Sequence, residues 1–310
     1  MARAVVDHES AEDLLSEIVA PRKRRLNLSG ERVLYRGMIS SLWELVPSAF
    51  RTDKREELHD LASAPFWKSW ARFVDDADSQ RDIEGRAILR FYRECHRAGL
   101  PLPRSARLDK MVHERTTWES SPSLINYGAS EDWIPGDLLE VAALAQHYGV
   151  PTRLLDWTLD PFVACFFAAS KPTIGQNLSI WELVPSEALH EPDFPLIIVS
   201  PPYVGNQNLA AQQGVFTLIR DPSRTGKLDR RPLDERMDEG RSADKGQQGF
   251  LRQHNLRASE RLNLLKLLFD LGYGTARVFP GYKSVVAQMR SEAPQSPPPH
   301  HLEFSTEPDC

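Results

Sequence analysis

Apolar positions recur at helical spacing through the first half of the chain and condense into short β-rich runs in the second. Residues 8–25 place Leu14, Leu15, Ile18 and Val19 on one face, with acidic residues ahead and basic residues behind, an order that suits the helix dipole. Pro21 is expected to end or kink this helix. Residues 54–98 repeat the pattern twice, first through Leu58, Leu61, Phe66, Trp67, Trp70 and Phe73, then through Ile83, Ala87, Ile88, Phe91, Tyr92 and Cys95. Further helices are predicted over 138–147, over the almost wholly apolar 162–169, over 258–271 with Leu262, Leu265, Leu268 and Phe269 inward, and over 282–289. Strands are predicted at 33–37, 152–157, 178–184, 196–199 and the end of 209–219, and a turn with a short strand at 272–279. Residues 103–135 are poorly patterned and predict a long connection, 221–249 are charged and glycine-rich and predict an exposed, mobile loop, and the tail from 291 predicts disorder. Together these elements predict an α+β fold. A central mixed or antiparallel sheet is surrounded by helices, and the block 54–98 forms a helical cap inserted after the first strand. The chain divides into an N-terminal helix (1–28), a main domain (29–290) and a tail (291–310).

The most heavily punctuated stretch is 146–161. Gly149 stands where a helix ends in the left-handed conformation, and Pro151 follows where helix cannot continue. Asp160-Pro161 then reads as an N-cap with proline in the first turn of the next helix. Polar residues packed between such stops are held in fixed positions, which is what a site requires.

Composition narrows the function classes. The 310 residues carry a net charge of -5, which argues against bulk electrostatic binding of nucleic acid, although Arg22-Lys23-Arg24-Arg25 forms a local basic run. Three scattered cysteines give neither a disulfide framework nor a zinc module. There is no signal-peptide core and no membrane-length apolar run, so a cytoplasmic protein is expected, with no metal. Phosphate-loop, dinucleotide-fingerprint, His-Glu-x-x-His and Gly-x-Ser-x-Gly motifs are absent. The segment Trp43-Glu44-Leu45-Val46-Pro47-Ser48 recurs at 181–186, but the flanks differ and no duplicated unit follows.

The candidate chemistry lies at three places. Tyr35-Arg36-Gly37 ends a strand with a guanidinium beside a glycine. It suits a phosphate or carboxylate clamp with close ligand approach, and equally an arginine paired with a buried aspartate. In the central stretch, Arg153 and Asp156 are at odd spacing on a predicted strand and should face opposite sides. Asp156, beside Trp157 and Thr158, is the candidate carboxylate, against the alternative that it caps the following turn, and Arg153 is more readily a structural clamp. Asp160 is read as an N-cap only. Gln146 can donate and accept, whereas His147 has as its alternative a contact with the last carbonyls of its helix. Third come Gln212, Gln213 and Gly214; if the segment is extended, only one glutamine faces a cleft.

These motifs resemble the FRG domain family, named for a Phe/Tyr-Arg-Gly motif that Tyr35-Arg36-Gly37 matches. Gln146-His147-Tyr148-Gly149, Pro151 to Thr158, Pro161, Gln212-x-Gly214-x-Phe216 and Phe279-Pro280 fit its further hallmarks, over roughly residues 29–290. Asn208 departs from the family, which often carries a basic residue there. The resemblance implies a bacterial or phage-related protein of a toxin or defence setting. A more distant similarity, in the order Arg36, Thr158, then Gln212 or Gln213, is to ADP-ribosyltransferases and their fold, although those enzymes carry glutamate where this chain has glutamine.

What the resemblance implies is an enzyme that cleaves NAD as its substrate and transfers ADP-ribose to a macromolecular target or to water. Arg36 would hold the anionic part, Asp156 would stabilise charge at the ribose, Gln213 would position ribose or acceptor, and Tyr148 or Trp157 would stack on nicotinamide. Tyr35, Gly37, Gln146, His147, Arg153, Thr158 and Gly214 complete the expected binding set, with Gln212 as the other catalytic candidate. Two alternatives remain open. One is a nuclease or other phosphodiester enzyme gripping phosphate with Arg36, Arg153 and His147, with Asp156 holding a metal. The other is a non-catalytic module that binds a ligand or a regulatory protein.

Overall fold

The structure is a computed structural model that describes residues 3–25, 33–62, 77–113, 133–171, 175–184, 196–219, 228–239 and 251–292. Its described strands are β1 (Arg3–His8), β2 (Leu34–Met38), β3 (Leu155–Thr158), β4 (Leu178–Leu183), β5 (Leu196–Val199), β6 (Gly214–Ile219) and β7 (Leu251–Leu256). The described helices are α1 (Ala11–Arg25), α2 (Arg55–Ala62), α3 (Ala77–Arg97), α4 (Ala106–His113), α5 (Leu139–His147), α6 (Pro161–Ala169), α7 (Gln207–Ala211), α8 (Leu233–Glu239), α9 (Arg261–Asp270), α10 (Thr275–Val278) and α11 (Tyr282–Glu292). The expected α+β class with a mixed sheet is what is found. Seven strands run in the order β1-β7-β4-β2-β3-β6-β5, antiparallel throughout except for β1 beside β7.

The helices divide the sheet. On one face, α1, α6 and α9 pack over β2, β4 and β7 around Tyr35, Ile180, Val163, Leu264 and Leu268. Helices α3, α4 and α5 pack near β5 and β6 around Ile88, Leu108, Val141, Phe216 and Leu218. The boundary between these two packings falls at β2 and β3. The opposite face carries one continuous cluster that includes Leu34, Leu155, Trp157, Trp181 and Val215, covered in part by α8. Helices α2 to α5 all fall between β2 and β3 in the chain, as an inserted helical block, and α2 packs against α3.

Several local expectations are corrected. Helix α1 runs through Pro21 to Arg25. Within the expected connection 103–135, α4 forms because Leu108, Met111 and Val112 share one face and the Ser105 hydroxyl accepts from Leu108 N, an N-cap. Residues 228–239 are not an exposed loop: Leu228, Leu233 and Met237 are buried, and Leu233 N donates to Leu45 O. In α9 the inward residues are Leu264 and Leu268, whereas Leu262 is 76% exposed and Phe269 42% exposed. Its leucines supply several candidate stripes, and packing against α6 selects one. The short strand expected at 272–279 is instead a turn and α10. Strands β1 and β7 are not among the predicted ones. Phe66, Trp67, Trp70 and Phe73, the outer parts of the 221–249 segment and the tail from 293 lie outside the described residues.

Candidate functional site

The cleft follows from an interrupted pairing. Strand β2 registers with β4 along its whole length, and β3 with β6 likewise, but β2 and β3 meet at the single pair Tyr35↔Thr158. Beyond that pair the gap is bridged by a side chain. Arg36 Nη1 donates to the Asp156 carbonyl at 2.6 Å, taking the place of a missing ladder bond, and lies 3.3 Å from Asp156 Oδ2. A cleft of about 490 Å³ opens there, a volume usual for small-molecule sites. Asp156 is 48% exposed and Arg36 is 14% exposed, so the carboxylate faces the cleft and the guanidinium backs it.

Gln146, at the end of α5, is the hub that orients this carboxylate. Its Oε1 accepts from Ser48 Oγ, Thr152 N and Thr152 Oγ1 at 2.9–3.1 Å, which fixes the amide so that Nε2 donates to Asp156 Oδ2 at 3.0 Å. Gly149 adopts φ +94°, the left-handed stop that releases the chain into this turn. Ala49 N donates to Thr152 O, so the segment before Arg51 is bolted to the same loop.

Tyr35, Arg36, Gly37, His147, Tyr148, Asp156, Trp157, Thr158, Gln212 and Gly214 all border the cleft, and Gln146 stands behind Asp156. Burial disfavours the charged form of His147 and lowers its pKa below the usual 6.5, against an opposing pull from Asp156. Tyr148 is 59% exposed and packs edge-on to His147, so its ring is free for stacking.

Other expected residues hold the frame instead. Arg153 is not in the cleft. It lies just ahead of β3 and is buried, giving Nε and Nη2 to Glu84, which also accepts from Trp133 Nε1 and Gln80 Nε2. Trp157 reaches the cleft edge but its ring is 3% exposed in the opposite-face cluster, with Nε1 on Thr217 Oγ1, so it is not available to stack on a ligand. Thr158 Oγ1 donates to the Gln212 carbonyl at 2.6 Å, and Gln212 Nε2 donates to Val278 O. Gln212 and Gln213 occupy the turn between α7 and β6 and not a strand, which removes the alternation argument. Gln213 has φ 46°, accepts from Leu159 N through its backbone, and does not border the cleft. Gly37 owes its identity to α6: a Cβ there would lie 1.9 Å from Ala164 O. Gly214 is likewise pressed by Leu209, since a Cβ there would lie 2.5 Å from Leu209 Cδ1. Asp160 caps α6 through Phe162 N as expected, and also accepts from Tyr273 Oη at 2.7 Å.

Residues 31–177 match the family model of the FRG domain. That span, just under half of the chain, is similar to the FRG domain. Comparison with curated proteins and with solved structures yields no match. The matched span of the FRG domain includes β2, the inserted helices, β3 and α6, and so contains Arg36, Gln146 and Asp156. Strands β4 to β7 lie beyond it, although β4, β6 and β7 complete the same sheet, and Gln212 and Gly214 border the same cleft.

Sequence reasoning missed three cations or aromatics at the cleft: Trp43, Arg51 and Lys171. The available signal was Arg51 directly after the Pro47-Ser48 break in an apolar run. Among the described residues no group of three His, Cys, Asp or Glu side chains could hold a metal ion, and no helix is long and apolar enough to cross a membrane.

Proposed function

We propose that the cleft binds NAD and breaks its bond between nicotinamide and ribose, passing ADP-ribose to a macromolecular nucleophile or to water. The observation that carries this reading is the convergence of a guanidinium, a half-exposed oriented carboxylate and an exposed aromatic ring on one cleft: Arg36, Asp156 and Tyr148. The bond from ribose C1′ to the ring nitrogen breaks with its electron pair going to nitrogen, so nicotinamide leaves neutral and needs no proton. Positive charge develops at C1′, and a fixed carboxylate there lowers its energy. The acceptor then forms the new bond at C1′, and its proton passes to solvent water. Arg36 suits the anionic part of the substrate, and Tyr148 suits the nicotinamide ring. Trp157 and Gln213 have no part in this reading, since neither side chain is presented to the cleft. Arg153 acts only through the position of the loop. A toxin or defence role, as the family resemblance implies, fits an activity that consumes NAD or modifies a cellular target.

The test is nicotinamide release from NAD by the purified full chain, together with Asp156→Asn and Arg36→Ala. Loss of one preorganised charge should cost about 100-fold or more in rate. Equal slow turnover by all three proteins, with no modified target in lysate, would remove the reading. Metal-dependent loss of RNA or DNA, abolished in Asp156→Asn without NAD, would instead establish the phosphodiester alternative. Binding without turnover of either substrate class would establish the non-catalytic one.

A further inference from the structure

Arg51 borders the same cleft as Arg36 and is unassigned by any motif in the chain. Its Nε donates to Val46 O at 2.9 Å, which fixes the plane of the fork. Its two terminal nitrogens have no partner among the described residues. The backbone beneath is rigid: Arg51 N donates to Ser48 O, Ala49 N to Thr152 O, and the Ser48 hydroxyl joins the Gln146 network. Arg36 commits one terminal nitrogen to Asp156, and its Nε is buried with no hydrogen-bond partner.

The charges around the cleft do not balance. Among the described residues, Arg36, Arg51 and Lys171 stand against the single carboxylate of Asp156. Asp53 and Asp156 act on Arg51 only through space, and neither forms an ion pair with it. Burial and the neighbouring Arg36 charge both lower the proton affinity of Arg51, so the two guanidiniums repel each other across a partly desolvated space. Such an arrangement is relieved by an anion that reaches both. One phosphate is satisfied by one fork, whereas two linked phosphates present an anionic group to each.

We propose that Arg36 and Arg51 together form a diphosphate site, and that Arg51 makes the cleft select ligands carrying two linked phosphates over ligands carrying one. This inference rests on the NAD reading in sharing its cleft, and deepens it by naming the residue that holds the second phosphate.

The experiment is calorimetric titration of the full chain with inorganic pyrophosphate and with inorganic phosphate. It compares the wild type with Arg51→Gln, Arg51→Lys and, as a control for net charge, Arg97→Gln, an exposed arginine far from the cleft residues in sequence. Wild type and Arg97→Gln should bind pyrophosphate at least about tenfold more tightly than phosphate. Arg51→Gln should bring the two anions within about twofold, and Arg51→Lys, which keeps charge but loses the fork, should fall between. Thermal melting checks folding, and if Arg51→Gln does not fold, Arg51→Lys carries the test. Equal binding of the two anions by wild type, no pyrophosphate binding, or full discrimination in the Arg51 variants overturns the proposal. Nicotinamide release is scored separately. Discrimination without NAD cleavage keeps the diphosphate site and removes the NAD reading. NAD cleavage with discrimination unchanged in Arg51→Gln does the reverse.

Discussion

Two arginines in this chain show how environment sets the role of one residue type. Arg36 shares with a carboxylate that is 48% exposed, so the pair contributes little to stability and remains available to a ligand. Arg153 is 2% exposed against Glu84 at 0%, with every oxygen of that carboxylate satisfied by Arg153, Trp133 and Gln80. Removing one member leaves the other buried without its partner. Arg153→Met is therefore expected to cost about 3–5 kcal/mol in urea denaturation, and the double variant Arg153→Met/Glu84→Leu distinctly less. Asp156→Asn should lie within about 1 kcal/mol of wild type in the same measurement while losing turnover. A comparable stability loss at both sites would erase the distinction drawn between clamp and cleft. Gln146→Leu falls between the two classes. It leaves the Thr152 hydroxyl without its acceptor at a cost of about 1–3 kcal/mol, while Ser48 Oγ keeps Thr152 O and Thr152 N keeps Ser48 Oγ, and it frees Asp156, so both the denaturation midpoint and nicotinamide release should drop.

Among the elements, the contact of β2 with α6 is the tightest constraint near the site. Gly37 has no space for a methyl group, because Ala164 O and Ala168 N lie within 2.8 Å of where it would be. Gly37→Ala must push the helix from the strand, and α6 begins at the Asp160 cap next to Thr158, so the displacement propagates to the cleft wall. The expected cost is about 1–3 kcal/mol or more, read as a lowered melting temperature together with weakened ligand binding. Gly214→Ala meets only the flexible end of Leu209 and should be milder. An equal effect at both glycines would contradict the backbone contact assigned to Gly37.

Across the whole molecule, buried histidines link stability to pH. His8 on β1 and His254 on β7 share a 3.1 Å hydrogen bond, and His254 also meets Glu182 on β4 at 3.2 Å, which ties the parallel edge strand to the sheet interior. Burial first, then the His254 charge, lowers the His8 pKa below 6.5, while Glu17, Asp13 and Asp7 pull the other way. His147 is lowered by burial as well. Below 6.5 the unfolded chain takes up protons that the folded chain refuses. The stability is therefore complete above pH 6.5 and is lost as pH falls through 6.5 toward the lowered folded values. Denaturation midpoints should decline over that window, and the decline should flatten in His8→Gln/His147→Gln. A midpoint that is level from pH 7 to the lowered values would refute it.

The sequence by itself determined the local punctuation and the class of the fold. Gly149, Pro151 and the Asp160-Pro161 start act through backbone dihedrals and nearest neighbours, which need no tertiary partner, and they appear as expected. Arg153 and Asp156 do part company, but Arg153 lies ahead of β3 and not on it, so strand alternation is not what separates them. What only the tertiary structure decided depends on contacts between distant segments. Trp157 points into the far-face core because β3 pairs with β6, and Gln213 leaves the cleft because α7 ends in a left-handed turn. Arg51 comes to border the same cleft as Arg36 because Ser48 is fastened to Gln146 across about a hundred residues of chain. The glycine of Tyr35-Arg36-Gly37 was legible as a close approach, but whether ligand or helix makes that approach is fixed only when α6 is laid against β2.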